Sequence, residues 1–112
     1  MDEARERMLE IYSTSENSND PLSWFEELYC SSQRDRRMIP WDWMEPHPFL
    51  VEWIEENKHT GHALVVGSGL GEDAAFLYEK GWKVTAFYVS ESAVEWASQL
   101  HKGKEIDWLV GD

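Results

Sequence analysis

At 112 residues the chain has room for one domain. Such a domain buries about 65% of the surface its unfolded form exposes, so one small core with little margin is expected. Ten basic against 22 acidic residues set the net charge at −12, with −8 in residues 1–60 and −4 in residues 61–112. That charge repels phosphate backbones, which argues against nucleic acid as a partner and for a solubilising surface. The single cysteine, Cys30, rules out an internal disulfide and a cysteine-rich zinc site, and it fits a reducing, intracellular setting.

Residues 1–12 can form a short helix with Met8, Leu9 and Tyr12 on one side, marginal unless packed. Its charged start, Asp2 to Arg7, has no signal-peptide core, and no run approaches the roughly 18 apolar residues of a membrane span. A soluble, cytoplasmic protein with no membrane contact is expected. The polar stretch from Ser13 to Asp20 reads as a linker. Asp20 as N-cap and Pro21 at the first helical position then start a helix running to about Tyr29. Leu22, Phe25, Leu28 and Tyr29 recur at helical spacing toward a core, while Glu26 and Glu27 point elsewhere.

Past Cys30, Arg34, Arg36 and Arg37 form either a solvated loop or a contact for an anionic group of a ligand or partner. Trp41 and Trp43 follow Pro40, and each ring buries roughly 150–250 Å². They therefore cover something, either the outside of a sheet or a ligand. Pro46 and Pro48 bracket the start of a helix from Pro48 to about Asn57, with Phe49, Leu50, Trp53 and Ile54 on one face. His47, His59, His62 and His101 are scattered and lack ligand spacing, so no metal site is expected.

The segment Ala63-Leu64-Val65-Val66-Gly67-Ser68-Gly69-Leu70-Gly71-Glu72-Asp73 runs an apolar strand into a glycine-rich turn that opens a helix. Gly67 suits the tight turn, Gly69 a close approach of ligand to backbone, and Gly71 close helix–strand packing. The free amides of the next helix then face a ligand. On its own such a triplet is equally a flexible turn. The context is a helix from Asp73 to Lys80, a strand from Lys83 to Val89, a helix opening near Ser90 and a strand from Ile106 to Val110. This β-α-β-α-β order predicts a parallel sheet with right-handed crossovers and the turn at its carboxyl end. Ser90 or Ser92 offers the N-cap of the second helix, Ser92 with Glu95 fitting a capping box. The first strand, His62 to Val66, is apolar almost without alternation, as in a strand buried on both faces in mid-sheet.

These residues resemble a class I S-adenosylmethionine-dependent methyltransferase over the stretch from about Pro21 to the end. Trp24 to Tyr29, Pro40-Trp41-Asp42, Pro46, Pro48 and the glycine turn look most like the branch that methylates small thiols, halide ions or thiopurines. The resemblance implies half of a Rossmann-like doubly wound parallel sheet, three strands in order 3-2-1, in residues 61–112, preceded by a helical segment and lid in residues 1–60. It implies S-adenosylmethionine as cofactor, with Gly67, Ser68, Gly69 and Gly71 around its methionine part, Asp73 near it, and Trp41 covering the methyl-donor pocket. Val89 would flank the adenine and Asp112 would approach its amino group.

Two departures stand out. Tyr88, 17 residues after Gly71, stands where the family usually has an acidic residue that binds both ribose hydroxyls. A phenol lacks a carboxylate's paired acceptors. The family also continues for four further strands past the position of Asp112, so the expectation is a truncated half. Its first strand would be an exposed edge needing a homodimer partner or a second chain to cover it. Methyl transfer to a thiolate or halide needs no general base, so no catalytic residue is assigned. The alternatives are a non-catalytic ligand- or partner-binding half-domain and an inactive remnant.

Overall fold

In the computed structural model, residues 3–15 and 23–111 are described. The elements are α1 (Glu3–Ser15), α2 (Ser23–Ser31), a 3-10 turn (Arg36–Met38), α3 (Pro48–Glu56), β1 (His62–Val66), α4 (Glu72–Glu79), β2 (Lys83–Tyr88), α5 (Glu91–Leu100) and β3 (Ile106–Val110). β2 lies between β1 and β3 in a parallel sheet, with Val66 opposite Phe87 and Phe87 opposite Leu109. This is the expected α/β order, 3-2-1. Asp20, Pro21 and Leu22, assigned above to the start of a helix, lie outside the described residues. Among the described residues no helix is long and apolar enough to cross a membrane.

Alternate residues of a strand face opposite sides, and here the two sides differ. Two crossovers stepping in the same direction with the usual hand set α4 and α5 on one face. There Val84, Ala86 and Ile106 pack with Ile54 of α3 and with Ala74 and Leu77 of α4. Toward the carboxyl end of the strands, Tyr88 joins Leu28 and Tyr29 of α2 and Ala93, Val94 and Trp96 of α5. On the opposite face Leu64, Val66 and Leu109 are 62%, 69% and 52% exposed. The mid-sheet expectation for β1 is therefore corrected. β1 is an edge among the described strands, and only Ala63 and Val65 are packed against the core.

The N-terminal helices are docked by polar groups. Arg7 of α1 donates to the Leu28 carbonyl and to Ser31 Oγ. Glu26 of α2 accepts from Ser90 Oγ at 3.0 Å, from the Ser92 amide at 2.7 Å, and from Ser92 Oγ. Ser90 itself is the N-cap, its Oγ accepting from the Ala93 amide at 3.0 Å. The capping box expected from Ser92 and Glu95 does not form, because a carboxylate from another helix has taken the Ser92 amide. Such a carboxylate at a helix N-terminus also complements the helix dipole.

Candidate functional site

The glycine turn continues the strand ladder by one bond and then reverses. The Ser68 amide donates to the Phe87 carbonyl at 3.0 Å, and the Gly71 amide donates to the Ser68 carbonyl at 2.9 Å. Gly71, at φ +85°, is the N-cap of α4, which has no side-chain cap. A Cβ on Gly71 would lie 2.4 Å from Trp108 Cη2 and 2.9 Å from Cζ3, so no other residue fits without moving β3's tryptophan. The turn is braced from α5's end, where His101 Nε2 donates to the Leu70 carbonyl at 3.0 Å and the imidazole stacks on Trp108.

Residues 35–47 form a strap over this turn. Asp35 caps the 3-10 turn by accepting from the Arg37 amide. Arg36 then forks onto Asp42 at 2.6 and 2.7 Å and reaches Glu72 of α4 at 2.7 Å. The bidentate, largely buried pairing with Asp42 holds the guanidinium's pKa above its ordinary value. A second stitch joins the His47 amide to Asp73 Oδ1 at 2.8 Å. A third joins Trp41 Nε1 to Tyr29 Oη at 2.9 Å. Trp41 also meets Trp24, Phe25 and Tyr29 edge to face, which makes it the roof of an aromatic cluster. Met44 sits at φ +59°, its amide held by Asp42 Oδ1. A non-glycine residue in that region costs energy and marks a loop whose shape is imposed by its surroundings.

Between strap and turn lies a cavity of about 180 Å³. Trp41, Gly67, Ser68, Gly69, Gly71, Asp73 and Tyr88, all candidate residues, border it. Val89 does not; it is half-buried in the bend after β2. Asp112 lies outside the described residues. Of the three arginines left open above, Arg36 is committed to Asp42 and Glu72, whereas Arg37 with Asp35, and Arg34 with Glu95 at 3.8 Å, form solvent-exposed pairs. The two tryptophans differ in role. Trp41 roofs the cavity, whereas Trp43 is 61% exposed and stacks on His47 at the rim. Among the described residues no group of three histidine, cysteine or acidic side chains is placed to hold a metal ion.

At the floor, Tyr29 Oη donates to Tyr88 Oη at 3.3 Å. Burial pushes both phenols above their ordinary pKa, Tyr29 the further because Tyr88 adds to the effect. Both stay neutral donors at ordinary pH. Tyr29, Glu72 and His47 are site residues that pattern reading missed. Helical spacing had assigned Tyr29 to the core, which is where its ring is, but its hydroxyl reaches the cavity. Nothing periodic links Arg36 with Glu72, so no local signal pointed to that pair. Four carboxylates at the cavity, Asp42, Glu45, Glu72 and Asp73, against the one guanidinium of Arg36 leave the site electronegative.

No protein-family model and no curated protein sequence matches the chain. Among solved structures it is similar to one from work on the conversion of a disulfide bond into a thioacetal group during echinomycin biosynthesis. The identity is 32% and the TM-score 0.61, over 65% of this chain and 31% of that one. It is similar to a protein from Pyrococcus horikoshii at 24% identity and TM-score 0.52, over 57% of this chain and 30% of that one. A TehB-like SAM-dependent methyltransferase from Corynebacterium glutamicum aligns at 22% identity and TM-score 0.51, over 79% of this chain and 45% of that one. The chain spans less than half the length of each of these three. Its three-stranded parallel α/β sheet has the fold of half a Rossmann-like domain.

Proposed function

We propose that this chain is the S-adenosylmethionine-binding half of a cytoplasmic methyltransferase whose acceptor is a small thiol, a halide or a similar soft nucleophile. The observation that carries the reading is the Gly67–Gly71 turn at the carboxyl end of β1. It opens α4 with no side-chain cap, beneath a strap that borders an open cavity. The residues suit the cofactor in three ways. Uncapped amides and the enclosed, unpartnered Ser68 Oγ offer hydrogen bonds to a polar ligand. The electronegative rim suits a ligand carrying sulfonium and ammonium charges. Trp41 and Trp43 add π faces for a cation. The cavity is smaller than the roughly 300–1,000 Å³ of ligand pockets, so the strap shifts outward on binding or the ligand extends past the mouth.

In this reading Gly67, Ser68, Gly69 and Gly71 hold the amino-acid end and Trp41 covers it. Asp73 keeps the strap in place through His47, and Val89 and Asp112 serve the adenine. The bound cofactor supplies an already activated methyl group. The chain's own residues position it and exclude water, which is most of what such a displacement requires. No residue is given a proton-transfer role.

The open edge of β1 and its uncovered face support a further part of the reading, a second copy or another chain seated on that strand. Sedimentation at micromolar concentration tests the homodimer, and a purely monomeric species removes it. The Tyr29–Tyr88 pair favours a second reading, a non-catalytic half-domain or a remnant, because phenols stand where a ribose-binding carboxylate is expected.

Calorimetric titration with S-adenosylmethionine and S-adenosylhomocysteine, with Tyr88→Asp alongside, separates the readings. Micromolar binding by the parent supports a working cofactor half. Binding by Tyr88→Asp alone favours the remnant. Methyl transfer to a thiol or iodide, once a partner is supplied, distinguishes an enzyme from a binding module.

A further inference from the structure

In doubly wound folds a carboxylate near the end of the second strand accepts from the sugar hydroxyls of a bound nucleotide. Tyr88 is the last residue of β2 and borders the cavity. Its hydroxyl belongs to a chain of three donors. Trp41 Nε1–H, which can only donate, makes a hydrogen bond to Tyr29 Oη at 2.9 Å. Tyr29 Oη donates to Tyr88 Oη at 3.3 Å. The Tyr88 proton has no acceptor among the described residues. Two hydroxyls sharing one bond leave one O–H over, and because Tyr29 is the donor of that bond the spare one is on Tyr88. The ring of Tyr88 is fixed edge to face against Phe25 and Tyr29, so this spare donor has a set place at the cavity floor.

We propose that the floor of this site offers a ligand one hydrogen-bond donor, the Tyr88 hydroxyl backed by Tyr29 and Trp41, and so takes an adenosine ligand by a single ribose oxygen acting as acceptor. The inference rests on the adenosine-site reading above and reverses the polarity of its sugar subsite. A carboxylate there recognises two hydroxyl protons and loses a bond when either oxygen is methylated. The tyrosine pair reads an oxygen lone pair, which an ether keeps. The raised phenol pKa values are consistent with this, since burial holds the donor proton in place.

The test is a titration of S-adenosylhomocysteine and its 2′-deoxy, 3′-deoxy, 2′-O-methyl and 3′-O-methyl analogues into the parent, Tyr88→Phe and Tyr88→Asp. Tyr88→Phe keeps the ring and its packing, and a matching circular dichroism spectrum and thermal midpoint show that the fold is intact. One neutral hydrogen bond corresponds to about a three- to tenfold change in affinity. The parent is expected to bind S-adenosylhomocysteine more tightly than Tyr88→Phe by that factor. The advantage disappears when one particular ribose oxygen is deleted and survives when the same oxygen is methylated. Reading the ratio of parent to Tyr88→Phe for each ligand cancels any steric cost of the methyl group.

If the ratio is the same for all the deoxy analogues, or methylation abolishes it as fully as deletion, the inference is overturned while the adenosine site stands. If neither the parent nor Tyr88→Asp binds any of the ligands, the adenosine-site reading falls and takes the inference with it.

Discussion

Val84 and Val66 are one residue type on neighbouring strands, yet Val84 is 1% exposed on the face beneath the helices and Val66 is 69% exposed on the other. The covered face is filled by side chains from four helices, whereas Leu64, Val66 and Leu109 project from the uncovered one. β1 is apolar on both sides from Ala63 to Val66, while β2 and β3 set Lys83, Thr85 and Asp107 beside Phe87 and Leu109 on the open one. What also differs is the path of the connections, since both crossovers step in one direction and stack their helices on one side. Apolar composition marks a strand as suited to burial, but the topology decides which face is buried.

The largest expected effect comes from disturbing the covered side at its tightest point. Gly71→Ala puts a Cβ against Trp108 at φ +85°. A left-handed non-glycine residue costs about 1–3 kcal/mol and overpacking about as much again. A loss of about 4 kcal/mol in urea unfolding is expected; a loss under about 1 kcal/mol means that Trp108 swings away freely and α4 does not depend on it.

The comparison of faces is tested directly by Val84→Ala against Val66→Ala. The buried site loses about 2 kcal/mol through lost transfer energy and a residual cavity. The exposed site stays within about 0.5 kcal/mol. Equal costs at micromolar concentration indicate that a second molecule covers the open face.

Arg36→Met probes the closure of the carboxyl end. It leaves Asp42, largely buried, without its guanidinium and cuts the strap from α4. The expected cost is about 1–2 kcal/mol, reduced by partial solvation, together with a red shift of tryptophan emission as Trp41 and Trp43 gain water. Unchanged emission means that the His47–Asp73 and Trp41–Tyr29 bonds hold the strap by themselves.

The smallest effect lies in alkaline solution. The folded-state pKa values of Tyr29 and Tyr88 are raised above the ordinary value of 10.0, so above about pH 10 the unfolded chain releases protons that the folded chain retains. Their contribution is fully present below pH 10 and is lost as pH rises beyond it. The thermal midpoint is expected to fall there, less steeply in Tyr29→Phe. Identical alkaline limbs in the two proteins show that the pair is not buried as described.

Much of the framework is legible in the sequence. β1 and β3 begin and end where their apolar runs do, at His62–Val66 and Ile106–Val110. β2 stops one residue early at Tyr88 and α4 starts one early at Glu72. Both shifts are of the size expected at element ends. Apart from the edge position of β1, the misreadings share one cause, a distant group acting where only local ones were read. Ser92 was matched with Glu95 three residues on, but its amide is taken by Glu26 from 66 residues away. Arg36 looked free in a polar loop, but Glu72 waits 36 residues later. Tyr29 was one more core residue until its hydroxyl met Tyr88 across a separation of 59 residues.

Strand, glycine turn, helix and their order are set by features within a few residues of each other, namely periodicity, β-branched runs and backbone positions that only glycine accepts, and the sequence alone determined them. Which strand is the edge, which face lies open, how the strap is stitched over the turn and what stands at the cavity floor depend on pairings between residues far apart in the chain. No local period encodes those pairings, and the tertiary structure decided them.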